Sequence, residues 1–289
     1  MCGILGTINI SERHSELDLI RHRGPDAFGE VDLLIGGYRV YLGHRRLSIL
    51  DLSPAGDQPM RSPDGSKLIV YNGEVYNHQE LRSQLSDIAF IGHSDTETIL
   101  HLLSRHGLTA VPSLNGIFAF AFLNASTNQL YLVRDPFGVK PLYYCQEGNA
   151  LAFCSEIKPI VRLMHQTLST DNLAELLRLR YSPSPDTLFK NIRKVRPGHI
   201  VEVDLSKERI RVTERPYLLS VPPITQALSM EMAQSEYGGF LRRAVERQLM
   251  SDVEVGIFLS GGMDSALVAQ FAQSRLPKKM KYMMQGNCP

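Results

Sequence analysis

Apolar and polar residues alternate in short runs through the first two thirds of the chain. The runs are "ILGTINI" from Ile4, "LIVYNGEV" from Leu68, "IFAFAFL" from Ile117, "QLYLVRD" from Gln129, "PLYYC" from Pro141 and "LAFCSE" from Leu151. Each is short, rich in β-branched or aromatic residues and bounded by turn formers such as "SPDGS" and "NASTN", so each predicts a strand. Three stretches have helical spacing instead: "NHQELRSQL", "DTETILHLLSRHG" with Ser94 or Asp95 as cap and Gly107 as stop, and "DNLAELLRLRY". Strands outnumber helices and follow one another directly, which predicts antiparallel sheets with helices packed outside them.

The pattern changes after Tyr217. "YLLSVPPITQALSM" carries a Pro pair and little periodicity, and we expect a linker over 216–230 between a first domain at 1–215 and a second at 231–289. In "SEYGGFLRRAVERQLMSDV" Phe240, Leu241, Val245 and Leu249 fall near helical spacing despite the Gly238-Gly239 pair. "VEVGIFLSGGMDSALVAQFAQSRL" then reads as buried strand, glycine turn and helix, an α/β pattern.

Composition narrows the function. The 289 residues are 43% hydrophobic and 21% charged, with a net charge of +1 and no cluster of Lys or Arg, so nucleic acid and anionic membrane are not expected partners. No stretch reaches the ~20 apolar residues that span a bilayer, and the first residues lack the basic and apolar regions of a signal peptide. A cytoplasmic setting is expected. The four cysteines, Cys2, Cys145, Cys154 and Cys288, have neither zinc-ligand nor disulfide-framework spacing. Cys145 and Cys154 lie in strand-like apolar runs and read as buried small hydrophobes.

Cys2 is different. A thiol with a pKa near ~8.5 is mostly protonated at neutral pH and needs a base to become a nucleophile. With Met1 removed, the α-amine of Cys2, of pKa ~8, lies within reach of its own sulfur, so one residue supplies both nucleophile and base. Gly3 leaves room for a substrate, and the apolar run behind it would hold the terminus rigidly. An incidental cysteine at a frayed end is the competing reading from position alone.

Eight further segments bear on that choice: "RHRGPD" at 21–26, "GHRRLSILDLS" from Gly43 with "AGDQPM" after it, "YNGEVYNHQELR" from Tyr71, "SDTETIL" from Ser94, "LNGIFAFAF" from Leu114, "RDPFGVKPLYY" from Arg134, "SEIK" from Ser155 and "FLSGGMDS" from Phe258. In order and spacing, with "MCGI" in front, they resemble the class II, N-terminal nucleophile glutamine amidotransferases, in particular glutamine-hydrolysing asparagine synthetase. The resemblance implies an αββα sandwich of the N-terminal nucleophile hydrolase type, an α+β fold, followed by an incomplete α/β domain with a pyrophosphate loop.

It also implies roles. Glutamine carries a carboxylate, an ammonium and an amide whose attack creates an oxyanion. Arg46 would clamp the carboxylate, Asp95 the ammonium, and Asn72 with the Gly73 N–H would form the oxyanion hole. Glu74 would add a substrate contact. Arg23, Gly24 and Asp26 would shape a loop over bound glutamine. Each also has a plainer reading: Arg46 as half of a solvated pair with Arg45, Asp95 as a helix cap, Asn72-Gly73 as a turn dipeptide.

The second motif lacks the lysine of a Walker loop. A glycine turn at a helix start still offers N–H groups to an anion. The resemblance implies that Leu259, Ser260, Gly261, Gly262 and Ser265 hold the pyrophosphate of ATP, with Asp264 a Mg2+ ligand, in an enzyme that adenylates aspartate and transfers ammonia to it, giving asparagine, AMP and pyrophosphate. A homodimer is an expected assembly. Some two dozen residues follow that loop, whereas a doubly wound domain needs ~100, so we expect this chain alone to retain the glutaminase half and not to make asparagine by itself. A different carboxylate acceptor, such as a sugar acid, and a non-catalytic remnant are the two other readings.

Overall fold

The computed structural model describes residues 1–11, 14–218, 227–276 and 281–284. The chain divides into two compact units, Met1–Leu219 and Ser220–Pro289.

Twelve strands build the first unit: β1 Gly3–Ile8, β2 Ala27–Ile35, β3 Tyr38–Arg46, β4 Met60–Arg61, β5 Lys67–Val75, β6 Gly116–Asn124, β7 Gln129–Arg134, β8 Tyr143–Glu147, β9 Ala150–Cys154, β10 Ile192–Lys194, β11 His199–Asp204 and β12 Arg211–Pro216. They form two six-stranded sheets, ordered β10-β8-β9-β1-β3-β2 and β12-β11-β7-β6-β5-β4. Every pairing within these sheets is antiparallel.

Period-2 alternation explains the layers. In β6, Ala119, Ala121 and Leu123 face the core between the sheets with Ile4, Ile8, Leu42 and Val70. Phe118, Phe120 and Phe122 face the opposite way, onto α3 (Asp95–His106). On the outer face of the first sheet, Leu5, Cys145 and Cys154 pack with Leu17 of α1 (His14–Asp18) and Ile160 of α4 (Ile157–Leu163). Two sheets with helices on both outer faces give an αββα sandwich. Helix α2 (His78–Ser83) packs on α3, and α5 (Thr170–Leu179) follows α4 in the chain.

Helix α3 matters most for the site. Ser94 is its cap, accepting from the Glu97 N–H at 3.3 Å, and Gly107 at φ 62 ends it. Its Ile99, Leu100, Leu102 and Leu103 are 3% exposed or less, a burial worth roughly 1.5–3 kcal/mol for each side chain. Glu97 turns back to accept from the N–H groups of Ile91 (2.7 Å) and Gly92 (2.9 Å). The loop before the helix is thereby fixed, and with it the direction in which Asp95 enters the fold.

In the second unit, α6 (Met230–Arg247) runs through the Gly238-Gly239 pair and α7 (Met263–Arg275) follows β13 (Gly256–Leu259). Strand β14 (Lys281–Met284) pairs in parallel with β13. Val245 and Ala272 are the centre of its small core. Most of the linker expected over 216–230 lies outside the described residues; of its ends, Pro216 closes β12, Tyr217 is buried, and Met230 opens α6.

Candidate active site

Cys2 stands at the head of β1, a central strand. Gly3 pairs with Arg45 across β3, which brings the Cys2 sulfur against the next residues of that chain segment: the Leu47 N–H donates to Sγ at 3.4 Å, and the Leu47 carbonyl lies 3.6 Å from it. From the other side, the Arg23 Nε donates to the Cys2 carbonyl at 3.0 Å while its Nη1 reaches Glu156 at 3.2 Å. The "RHRGPD" segment is thus a short 3-10 turn over Arg21–Arg23 that buckles the terminus in place.

A cleft of about 550 Å³, including the open space at its mouth, lies beside Cys2. Arg46, Asn72, Gly73, Glu74 and Asp95 all line it. With Cys2, six positions separated by up to 93 residues converge because β1 begins beside Cys2, β3 carries Arg46 at its end, β5 carries Asn72 to Glu74, and α3 begins at Asp95. The plainer readings change accordingly. Asn72-Gly73 lies within a strand, opposite Ala119 and Phe118, and makes no turn; the helix cap is Ser94.

Asn72 is 1% exposed, and among the described residues neither Nδ2 nor Oδ1 has a hydrogen-bond partner. Leaving a buried polar group unpaired costs about 1–3 kcal/mol, so an amide held this way marks an unfilled binding capacity. Gly73 has no alternative residue: a Cβ there would lie 2.3 Å from the Ile117 carbonyl oxygen and 2.6 Å from Phe118 Cα.

The Asp95 carboxylate is buried and held by three donors. Oδ2 accepts from the Tyr71 hydroxyl at 2.7 Å and the Val75 N–H at 2.9 Å, and Oδ1 from the Thr96 N–H at 2.8 Å. Burial raises its pKa above the usual carboxylate value, and these hydrogen bonds work against that rise.

Arg46 is 6% exposed and departs from the open fork expected of a carboxylate clamp. Its Nη1 donates to the Ser53 carbonyl (2.9 Å) and to Asp57 (2.7 Å), and Nη2 to the Asp51 carbonyl. A ligand would meet only Nε and the second Nη2 hydrogen. The loop over 51–57 therefore orients the guanidinium instead of leaving it solvated beside Arg45. Asp51 anchors that loop, accepting from Ser53 and from the His93 N–H at 2.8 Å.

The electrostatics favour a protonated sulfur while Met1 is present. Burial pushes the Cys2 thiol pKa up, the Leu47 N–H and the terminal ammonium pull it down, and Glu74 and Asp95 push it up again. Burial lowers the pKa of the terminal amine, and Lys140 and Arg23 lower it further. His44, fully buried behind the cleft, donates from Nε2 to the Tyr71 carbonyl at 3.1 Å and stays neutral, its pKa held down to about 3 chiefly by burial. It is a strut, not a base. Cys145 and Cys154 are buried, and burial pushes both thiols up to about 12.

Sequence reasoning passed over Lys140, Gln58 and Tyr71, which also line the cleft. Gln58 Oε1 accepts from the Tyr71 N–H at 2.6 Å and its Nε2 donates to Thr96 Oγ1 at 3.2 Å, tying β5 to α3. All three residues stood inside the recognised segments; Tyr71 could have been read as a polar-tipped residue in the apolar run of β5 (Lys67–Val75), whereas Gln58 and Lys140 lie in irregular segments that carry no periodic signal.

In the second unit, Gly261 at φ +80 makes the turn between β13 and α7, a backbone region that glycine enters without strain. Ser260 Oγ lies 3.1 Å from Ser265 Oγ and accepts from the Gly262 N–H at 3.4 Å. Gly262 is the cap residue and supplies no side chain, Leu259 ends β13, and Asp264 stands in the first turn of α7. Among the described residues, no three His, Cys, Asp or Glu side chains gather as a metal site, and no helix is long and apolar enough to cross a membrane.

The sandwich with a cysteine at the head of a central strand has the architecture of the N-terminal nucleophile hydrolases. Residues 1–217 match the model of the glutamine amidotransferase domain, and residues 236–284 that of asparagine synthase; the chain belongs to the glutamine amidotransferase family. Asparagine synthetase [glutamine-hydrolyzing] 2 of Bacillus subtilis (strain 168) is 35% identical over 298 aligned residues, covering 95% of this chain and 39% of the relative. Amidase chyE of Penicillium rubens is 37% identical over 283, covering 96% and 41%. A putative asparagine synthetase of Methanocaldococcus jannaschii is 35% identical, covering 93% and 56%. The chain thus spans between two fifths and somewhat over half of these relatives' length. Among solved structures, glutamine phosphoribosylpyrophosphate amidotransferase from B. subtilis superposes with a TM-score of 0.56 at 17% identity, over 98% of this chain and 65% of that one, a likeness of fold.

Proposed function

We propose that Cys2 hydrolyses glutamine to glutamate and ammonia. The observation that carries this reading is the unspent amide of Asn72, buried in the same cleft as the Cys2 sulfur and the Asp95 carboxylate. After removal of Met1, the Cys2 α-amine takes the thiol proton as sulfur attacks the side-chain amide carbon of glutamine. The resulting oxyanion meets the Asn72 amide and the Gly73 N–H. Collapse breaks the C–N bond, the proton held by the amine passes to the leaving nitrogen, and ammonia departs. Water then hydrolyses the thioester to glutamate and restores the thiol. Arg46 and Asp95 orient the substrate's carboxylate and ammonium, and Glu74 adds a contact.

The second unit supports a further step. The start of α7 has no side-chain cap, so its first N–H groups, with Ser260, Gly262 and Ser265, fit the phosphates of ATP. A single carboxylate, Asp264, fits Mg2+ that keeps most of its ligands from water and phosphate. Bound ATP would activate aspartate as its adenylate for attack by ammonia, in a full-length protein of cytoplasmic setting that assembles as a homodimer. Relatives named amidases stand beside those named asparagine synthetases, and the second reading is an acceptor other than aspartate, such as the carboxylate of a sugar acid.

Glutamate production by the purified chain tests the first step. Turnover by the processed chain, lost in Cys2→Ala and in a form that retains Met1, is the expected result; turnover independent of Cys2 refutes the reading.

A further inference from the structure

Lys140 has no role in the chemistry above, yet the fold takes trouble to place it. Asp135, fully buried at the end of β7, accepts from the N–H groups of Phe137 and Val139 at 3.0 Å each and from Lys140 at 2.9 Å. Arg134 fastens the same loop, donating to the carbonyls of Gly138 (2.7 Å), Lys140 (2.8 Å) and Val195 (2.7 Å). With its backbone groups satisfied, the loop is held in one form. It exposes the apolar side chains, Phe137 at 84% and Val139 at 52%, and turns the charged one inward: Lys140 is 9% exposed, in the wall of the cleft that holds Met1 and Cys2. Its Nζ has no hydrogen bond or ion pair among the described residues.

Burying an ammonium in this way costs stability that an apolar side chain would not. Burial lowers the Lys140 pKa and Arg23 lowers it further, while Glu74, Cys2 and Asp135 raise it. We propose that Lys140 is a positioning residue for the Cys2 centre, its ammonium setting the local field so that near neutral pH the terminal amine rests in its base form and the sulfur anion that forms on proton loss is stabilised. This rests on the reading of Cys2 as nucleophile. A cation in the wall favours the charged sulfur, which assists loss of the thiol proton, and disfavours a charged amine, which keeps the amine in its unprotonated, base form before the thiol reacts. The other charges facing the pair are Arg23 from the 3-10 turn, Asp26 beyond it, Glu74 from β5, Asp95 from α3 and Arg46 from β3. Glu74 and Asp95 oppose the thiolate, and Lys140 offsets them.

The test is the rate of Cys2 alkylation by iodoacetamide, an uncharged probe, as a function of pH. It is read by peptide mass mapping on processed wild type, Lys140→Met and Lys140→Arg, with unfolding monitored for each. In Lys140→Met the half-rise moves up by about one pH unit, and the acid limb of kcat/KM for glutamine moves with it; Lys140→Arg keeps the wild-type profile. A folded Lys140→Met with an unmoved half-rise overturns the proposal. If the Met variant does not unfold cooperatively, Lys140→Gln takes its place under the same criterion. Wild-type glutamine turnover is measured on the same preparation, so that failure of the glutaminase reading shows there and failure of the Lys140 proposal shows in the profile.

Discussion

Asn72→Ala separates a catalytic amide from a structural one because the two roles predict opposite signs. Asn72 is 1% exposed and both its amide atoms lack partners among the described residues, so the folded protein already bears an uncompensated desolvation of about 1–3 kcal/mol. Removing the amide relieves that cost and leaves a small void, so folding stability stays within about 1 kcal/mol of wild type. The loss of one oxyanion donor lowers kcat by ~10²–10³, or ~2.7–4 kcal/mol of transition-state stabilisation. KM changes little, since the donor engages mainly after the carbonyl becomes an oxyanion. Steady-state glutamate production and urea unfolding on one preparation give all three quantities. A kcat within about threefold of wild type, or a stability loss beyond ~2 kcal/mol, would show that the amide serves the fold.

Other substitutions probe the pocket around it. Asp95→Asn keeps the shape but removes the charge that would face the substrate ammonium, and we expect KM for glutamine to rise by ~10–100-fold with a smaller effect on kcat; an unchanged KM contradicts the assigned role. In Gly56→Ala the new Cβ would fall 2.1 Å from Arg46 Nη2 and 2.9 Å from the Asp51 carbonyl oxygen, so the guanidinium must move; KM should rise while unfolding remains cooperative, and a wild-type KM refutes the orienting role of that loop. Lowering the pH tests His44. Its folded pKa of about 3 lies below the ordinary 6.5, so its contribution is complete above pH 6.5 and is lost as pH falls toward 3. By pH 5 linkage removes ~2 kcal/mol, seen as a fall in urea midpoint that His44→Gln lacks; equal slopes in the two proteins refute it.

The alternation in β6 and the capped run of α3 could be read directly because one physical rule, burial of one face, dictates both. Strands β2 and β3 were hidden by a different cause. Phe28 and Leu34 of β2 are exposed by 64% and 77%, so its apolar positions do not mark a single buried face, and the segments there were legible as motifs before they were legible as strands. Helix α6 crosses two glycines that propensity alone would place near an end. The site residues were legible as types in an order, since an amino-acid substrate demands a cation, an anion and amide donors. Their geometry was not. Nothing in "GHRRLS" announces that Arg46 has three donors committed to the 51–57 loop, or that the Leu47 N–H donates to the Cys2 sulfur. Lys140 escaped for a related reason: its inward turn is set by Asp135 five residues earlier, a backbone arrangement without periodicity.

The account stands on Cys2 as a nucleophile in a glutamine-shaped cleft, and covalent labelling tests that most directly. The processed chain is incubated with a glutamine analogue bearing an electrophilic ketone at the side-chain amide, and the adduct is located by mass mapping. The account predicts one adduct, on Cys2, suppressed by excess glutamine, with Cys145 and Cys154 unmodified. Labelling that glutamine does not suppress, or that spares Cys2, would contradict it.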